Sequence, residues 1–128
     1  LVQLKWKNGE NEIANGAGVQ IIGSKAPDQN GLSPKEMIEG ALALCISISL
    51  EKVLERDGIE LDLNDFTIDA TAKKEDGVTN RFTHFDVRVT LPQGLEEAYQ
   101  KKLFTIVERA CTISNTFAHE AEITISVE

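Results

Sequence analysis

The chain is poor in everything that builds a covalent or metal-held scaffold. Its 128 residues include two cysteines and two histidines. Two cysteines make no disulfide framework and fit a reducing cytoplasm better than a secreted domain. His84 and His119 have no carboxylate at metal-ligand spacing, so no metal or other cofactor is expected. Positive charge is also scarce. Thirteen basic against twenty-one acidic residues give a net charge of -8, which argues against nucleic acid or an anionic membrane as partner. No long apolar run occurs. The longest, Ala41 to Leu50, is too short to span a bilayer and contains Ser47 and Ser49. No signal peptide is visible, although the chain opens at Leu1 as if trimmed. No glycine-rich phosphate loop is found either, since Gly16-Ala17-Gly18 reads as a turn. These absences leave an acidic cytoplasmic protein, expected as one domain over residues 1–128.

The pattern that is present reads as α+β. Val2, Leu4 and Trp6 alternate into Asn8-Gly9, a strong hairpin signal, and a second strand is expected around Glu12 to Asn15. GVQIIGS gives a third strand, and Lys25 to Leu32 a loop. A helix then runs from Ser33 to Gly58. Ser33 and Glu36 form a capping box, Pro34 suits the first helical position, and Gly58 is placed to stop it. Its apolar residues go nearly all the way round, which predicts burial on every side and a central place at a dimer interface. Two longer strands follow, FTIDATAKK and RFTHFDVRVTL, with either His84 or Phe85 facing inward in the second. A second helix carries Leu95, Ala98, Leu103, Ile106 and Val107 at helical spacing, CTISNTFA adds a short third, and EITISVE reads as a terminal strand. The order βββ-α-ββ-α(α)-β groups strands in pairs and triples, which points to mainly antiparallel sheet.

The chemistry rests on Cys45, inside the long helix, and Cys111, after the second one. Each has two readings: a small core residue, or a thiol whose surroundings raise its thiolate fraction. Glu36 is a capping residue by its spacing and a carboxylate available for catalysis by its type. Lys25 lies in a polar loop and reads as a solvated charge. Glu36 and Cys45 are about 2.5 turns apart on opposite faces of one helix, so Glu36 cannot assist the Cys45 of its own chain.

Several stretches together resemble the OsmC/Ohr family, the osmotically inducible and organic-hydroperoxide-resistance proteins, in particular its YhfA-like branch. They are Ser33-Pro34-Lys35-Glu36-Met37, the small-residue approach Gly40 to Leu44 before Cys45, Arg56-Asp57-Gly58-Ile59, Arg81 to Phe85, and Glu108-Arg109-Ala110-Cys111 with Ser114 beyond. The resemblance implies an OsmC-like fold and an intertwined homodimer whose antiparallel sheets wrap paired central helices. It also implies a thiol site at the subunit interface. There Cys45 attacks an organic hydroperoxide, Cys111 resolves the sulfenic acid to a disulfide, and a dithiol reductant restores both thiols. In peroxidase relatives an Arg–Glu pair activates the first thiol. Here Lys35 stands at the expected glutamate, with Glu36 one place late, and the arginine position falls near Lys25. Lys25 and Glu36 are therefore the candidates for activating Cys45. Lysine lacks the planar fork that arginine offers a carboxylate, so slower turnover is expected than in such relatives. The alternative function is a non-enzymatic protein that binds a small apolar ligand in the same interfacial pocket.

Overall fold

The computed structural model describes every residue except Leu63 and Asp65. The chain divides into two compact units, Leu1–Gly40 and Ala41–Glu128.

In the first unit, β1 (Val2–Lys7), β2 (Glu10–Asn15) and β3 (Gln20–Gly23) form an antiparallel sheet in the order β1-β2-β3. The β1–β2 hairpin turns at the expected Asn8-Gly9, with φ of 53° and 79°. Positive φ at both positions gives the turn a twist that matches the flanking strands, and asparagine and glycine tolerate it best. After β3 the chain doubles back on itself. Leu32 N–H donates to the Ile22 carbonyl at 2.9 Å, and Ser24 N–H donates to the Leu32 carbonyl at 2.9 Å. Gly31 is required here, because a Cβ would lie 2.3 Å from the Ile22 carbonyl oxygen.

Helix α1 (Pro34–Arg56) starts in this unit with the expected capping box. Glu36 N–H donates to Ser33 Oγ at 3.2 Å, while Glu36 Oε1 accepts from Ser33 N–H and Ser33 Oγ, both at 2.9 Å. The helix ends before Gly58, whose φ of 66° turns the chain out of helical geometry.

The second unit contains the rest of α1, the hairpin of β4 (Thr67–Lys73) and β5 (His84–Thr90), and helices α2 (Glu97–Ala110) and α3 (Thr112–Phe117). In the β4–β5 register Ala70 pairs with Val87 and Ala72 with Phe85. Alternation sends Ile68, Ala70 and Ala72 inward from β4, and Phe85, Val87 and Val89 inward from β5. His84 is therefore on the outer face and Phe85 on the inner one, which decides between the two options left by the sequence. The core joins Leu50, Val53 and Leu54 of α1 to Leu103 and Val107 of α2, with Ile68 and Val89 packed against them. Complete burial of a leucine such as Leu50 or Leu103 contributes about 1.5–3 kcal/mol each.

One expectation is corrected. The terminal segment forms no strand. Residues 119–128 carry no regular structure, and Ile123, Ile125 and Val127 are 83%, 86% and 95% exposed. The alternation is present, but a strand also needs a neighbour to receive its backbone hydrogen bonds. Helix α1, expected at a dimer interface, is covered on part of its surface by its own chain. Leu44 and Ile48 are 62% and 43% exposed and, with exposed Ala41, form an apolar stripe.

Candidate functional site

Cys45 is in the middle of α1, and Cys111 is at the joint between α2 and α3. Both are free thiols, and they lie near enough for each to shift the other's proton affinity. Cys111 is held firmly in place. Its N–H donates to the Val107 carbonyl at 2.9 Å, closing α2, and its sulfur accepts from Ser114 N–H at 3.4 Å, capping α3. The meeting thus joins the middle of one helix to the end of another.

The two sulfurs have opposite protonation tendencies. The Ile113 backbone N–H bonded to its sulfur pulls the Cys45 thiol below its ordinary pKa and outweighs the effect of partial burial. The Cys111 S–H, the Thr112 N–H and the positive charge of Lys52 act in the same direction. For Cys111, burial pushes the pKa up, and the nearby Cys45 sulfur pushes it further. The physical reason is simple: Cys45 receives donors that stabilise an anion, whereas Cys111 is wholly buried and donates its own proton. The favoured ionic form is a Cys45 thiolate beside a Cys111 thiol.

The sequence reading did not find the groups that tune Cys45. Its candidates were Lys25 and Glu36, whereas Lys52, which lowers the Cys45 pKa, lies two turns along α1. Residues on α1 advance by about 100° each, so Lys52 falls within about 20° of Cys45 around the axis. That i, i+7 spacing was the available signal. The backbone N–H groups of residues 112 and 113 were signalled only by Cys111 preceding a short helix. Lys25 is exposed in the loop after β3, and Glu36 is occupied by the capping box. Lys35 is held by Glu39 at 2.8 Å. All three belong to the first unit.

Cys45 sits on a border of α1. Taking Leu44 as the origin, Ile48 and Ala41 lie at about 40° and 60°, Cys45 at about 100°, and Leu42 and Ile46 at about 160° and 200°. The half-buried Cys45 therefore separates the exposed stripe from the packed face. On the packed side is a cavity of about 620 Å³, with Cys111, Leu42 and Ile46 in its wall. Phe85, Phe104 and Phe117 line it as well, and Phe85 stacks on Phe117 at 4.6 Å between ring centroids. The cavity wall includes Cys111 and leaves Cys45 to the border.

The protonation asymmetry has a direct kinetic consequence. Alkylation by iodoacetamide proceeds through the thiolate. Cys45 is therefore expected to be modified first, and its rate to hold up at pH values below the ordinary thiol pKa of about 8.5, while Cys111 stays slow there. Lys52→Met shifts the Cys45 profile to higher pH. Peptide-resolved labelling between pH 5 and 10 checks this, and faster labelling of Cys111 at neutral pH would refute it.

Solved structures share the fold over nearly the whole chain. An OsmC-like protein from Mycoplasma pneumoniae matches with a TM-score of 0.78 at 14% identity, covering 92% of this chain and 86% of that one. An organic hydroperoxide resistance protein OsmC from Legionella pneumophila gives 0.63 at 14% identity, with 91% and 87% covered. The organic hydroperoxide resistance protein OhrB of Bacillus subtilis gives 0.55 at 22% identity, with 90% and 88% covered. At such identities these similarities establish the OsmC-like fold. No curated protein matches the chain significantly by sequence. The model of the OsmC-like protein family matches residues 27–126, and the chain therefore belongs to the OsmC-like family.

Proposed function

We propose that this is a thiol redox protein that reduces organic hydroperoxides through Cys45, with Cys111 as the resolving thiol. One observation carries the reading. Two free cysteines from different parts of the fold lie near enough to shift each other's proton affinity, and the more accessible one is the one whose thiolate is favoured. The neighbouring proteins from Legionella and Bacillus, named for organic hydroperoxide resistance, support the substrate class.

The chemistry balances with one external reductant. The Cys45 thiolate attacks the terminal oxygen of ROOH, and the O–O bond breaks. Cys45 becomes a sulfenic acid, and the alkoxide takes a proton and leaves as ROH. Cys111 then attacks the sulfenic sulfur, forming the disulfide and releasing water. A dithiol returns both cysteines to thiols and is itself oxidised to a disulfide.

The working form is proposed to be a homodimer. A second copy would cover the apolar stripe of Ala41, Leu44 and Ile48, which runs beside Cys45. In the first unit, Val2, Leu4 and Trp6 give β1 an exposed apolar face of its own, a further surface that a second copy would cover.

Turnover is expected to be slow. No arginine precedes Arg56, so an arginine–carboxylate clamp is not available from that part of the sequence, and Lys35 stands where the resemblance expects glutamate. The test is consumption of cumene hydroperoxide with dithiothreitol. Measurable turnover that rises in Lys35→Glu supports the reading. Fast turnover by the wild type, not improved by Lys35→Glu, would remove the weight placed on Lys35. The apolar cavity favours a second reading, a carrier of a small apolar ligand. Absence of turnover together with ligand binding would select it.

A further inference from the structure

The cavity beside Cys111 has an asymmetry that hydrophobicity alone does not account for. Its wall is apolar and aromatic except for Thr83, Ser114 and Glu108. Thr83 and Ser114 are neutral, so Glu108 is the one charged side chain among the described lining residues. It is on α2, one turn before Cys111. No lysine or arginine forms an ion pair with it among the described residues. Its carboxylate is exposed, so it stands at the rim of the cavity and acts through solvent on a ligand that enters, within a chain already at net -8.

We propose that Glu108 makes this cavity selective for neutral aryl or branched-alkyl groups and turns away ligands that carry a carboxylate. The aromatic wall supplies the positive half of the selection. Phe85 stacks on Phe117 at 4.6 Å, and Phe82 meets Phe85 edge-on at 6.3 Å. A ligand ring joins such a cluster by offset or edge contact. Glu108 supplies the negative half. Two carboxylates less than about 10 Å apart repel within the range that salt leaves unscreened. The substrate side of this proposal rests on the hydroperoxide reading. Under it, cumene hydroperoxide and similar neutral hydroperoxides are preferred to those of fatty acids.

The test measures binding, independently of turnover. The probes are 2-phenyl-2-propanol, the alcohol formed from cumene hydroperoxide, and the same molecule with a para-carboxylate. Their affinities are compared by calorimetry on reduced wild type, Glu108→Gln and Glu108→Lys. A carboxylate is penalised by desolvation in any apolar cavity, so the decisive quantity is how the gap changes between variants. The neutral alcohol should bind more tightly to the wild type. The gap should narrow about fivefold in Glu108→Gln, narrow further in Glu108→Lys, and in the wild type shrink as salt is raised from low to high. An equal gap in wild type and Glu108→Gln would overturn the proposal, as would failure of the neutral alcohol to bind. These outcomes separate it from the enzymatic reading. Glu108-dependent selection without peroxide turnover would defeat only that reading, and turnover with an unchanged gap would defeat only this one.

Discussion

Cys45→Ser is expected to lower hydroperoxide consumption by about a thousandfold or more, because it removes the atom that accepts the peroxide oxygen. A serine hydroxyl in the same place has the same backbone donors near it but almost no anion at neutral pH. Cys111→Ser should behave differently. The first attack still occurs, since the Ile113 and Thr112 N–H groups and Lys52 continue to favour the Cys45 thiolate. The loss of the Cys111 S–H, one of the donors to Cys45, should slow that step modestly. Without a resolving thiol, Cys45 then stops as a sulfenic acid, open to overoxidation or to a sulfenic-acid trap such as dimedone. A stopped-flow burst of one equivalent per chain followed by slow turnover is the expected signature in Cys111→Ser. Equal loss of the first turnover in both variants would mean that Cys111 does more than resolve.

The second large effect concerns assembly. Leu44→Asp or Ile48→Asp should weaken the proposed homodimer by about a hundredfold or more. Each would bury an unpaired carboxylate at the contact, and every 1.4 kcal/mol is a factor of ten in affinity. Both positions are exposed in the single chain, so its own core should survive the change. Sedimentation velocity at micromolar concentration reads the outcome, with circular dichroism to verify folding. A wild type that sediments as a monomer would contradict the dimer outright. Because Cys45 borders the same stripe, the variants should also alter its alkylation rate.

Features governed by local chemistry were legible in the sequence. The capping box of Ser33 and Glu36, the stop at Gly58, the Asn8-Gly9 turn and the alternation of β4 depend on neighbours a few residues away. What depended on distant partners was harder to read. Residues 122–127 have the alternation of a strand, yet alternation says nothing about which backbone will pair with it. The all-round apolar pattern of α1 identified a helix to be covered, but one chain covers only part of it. The two cysteines were apparent as candidates from their scarcity and helical setting. Their unequal character was not, because it comes from backbone donors at residues 112 and 113 and from Lys52 two turns along α1. Glu108 was apparent only as part of the family resemblance. Its side chain is exposed, as a glutamate on α2 reads, and its place at the rim of a cavity depends on Phe85 of β5 and Phe117 of α3, distant in sequence, in the same wall.

The central claim, that Cys45 and Cys111 form one redox pair, is tested most directly by their product. Fully reduced protein is treated with one equivalent of cumene hydroperoxide, remaining thiols are blocked, and intact mass and peptide maps are recorded. The account predicts loss of two hydrogens per chain and a single cross-linked peptide joining Cys45 to Cys111, reversed by a dithiol. Unreacted thiols, or stable oxygen addition at Cys45 with Cys111 still free, would contradict it.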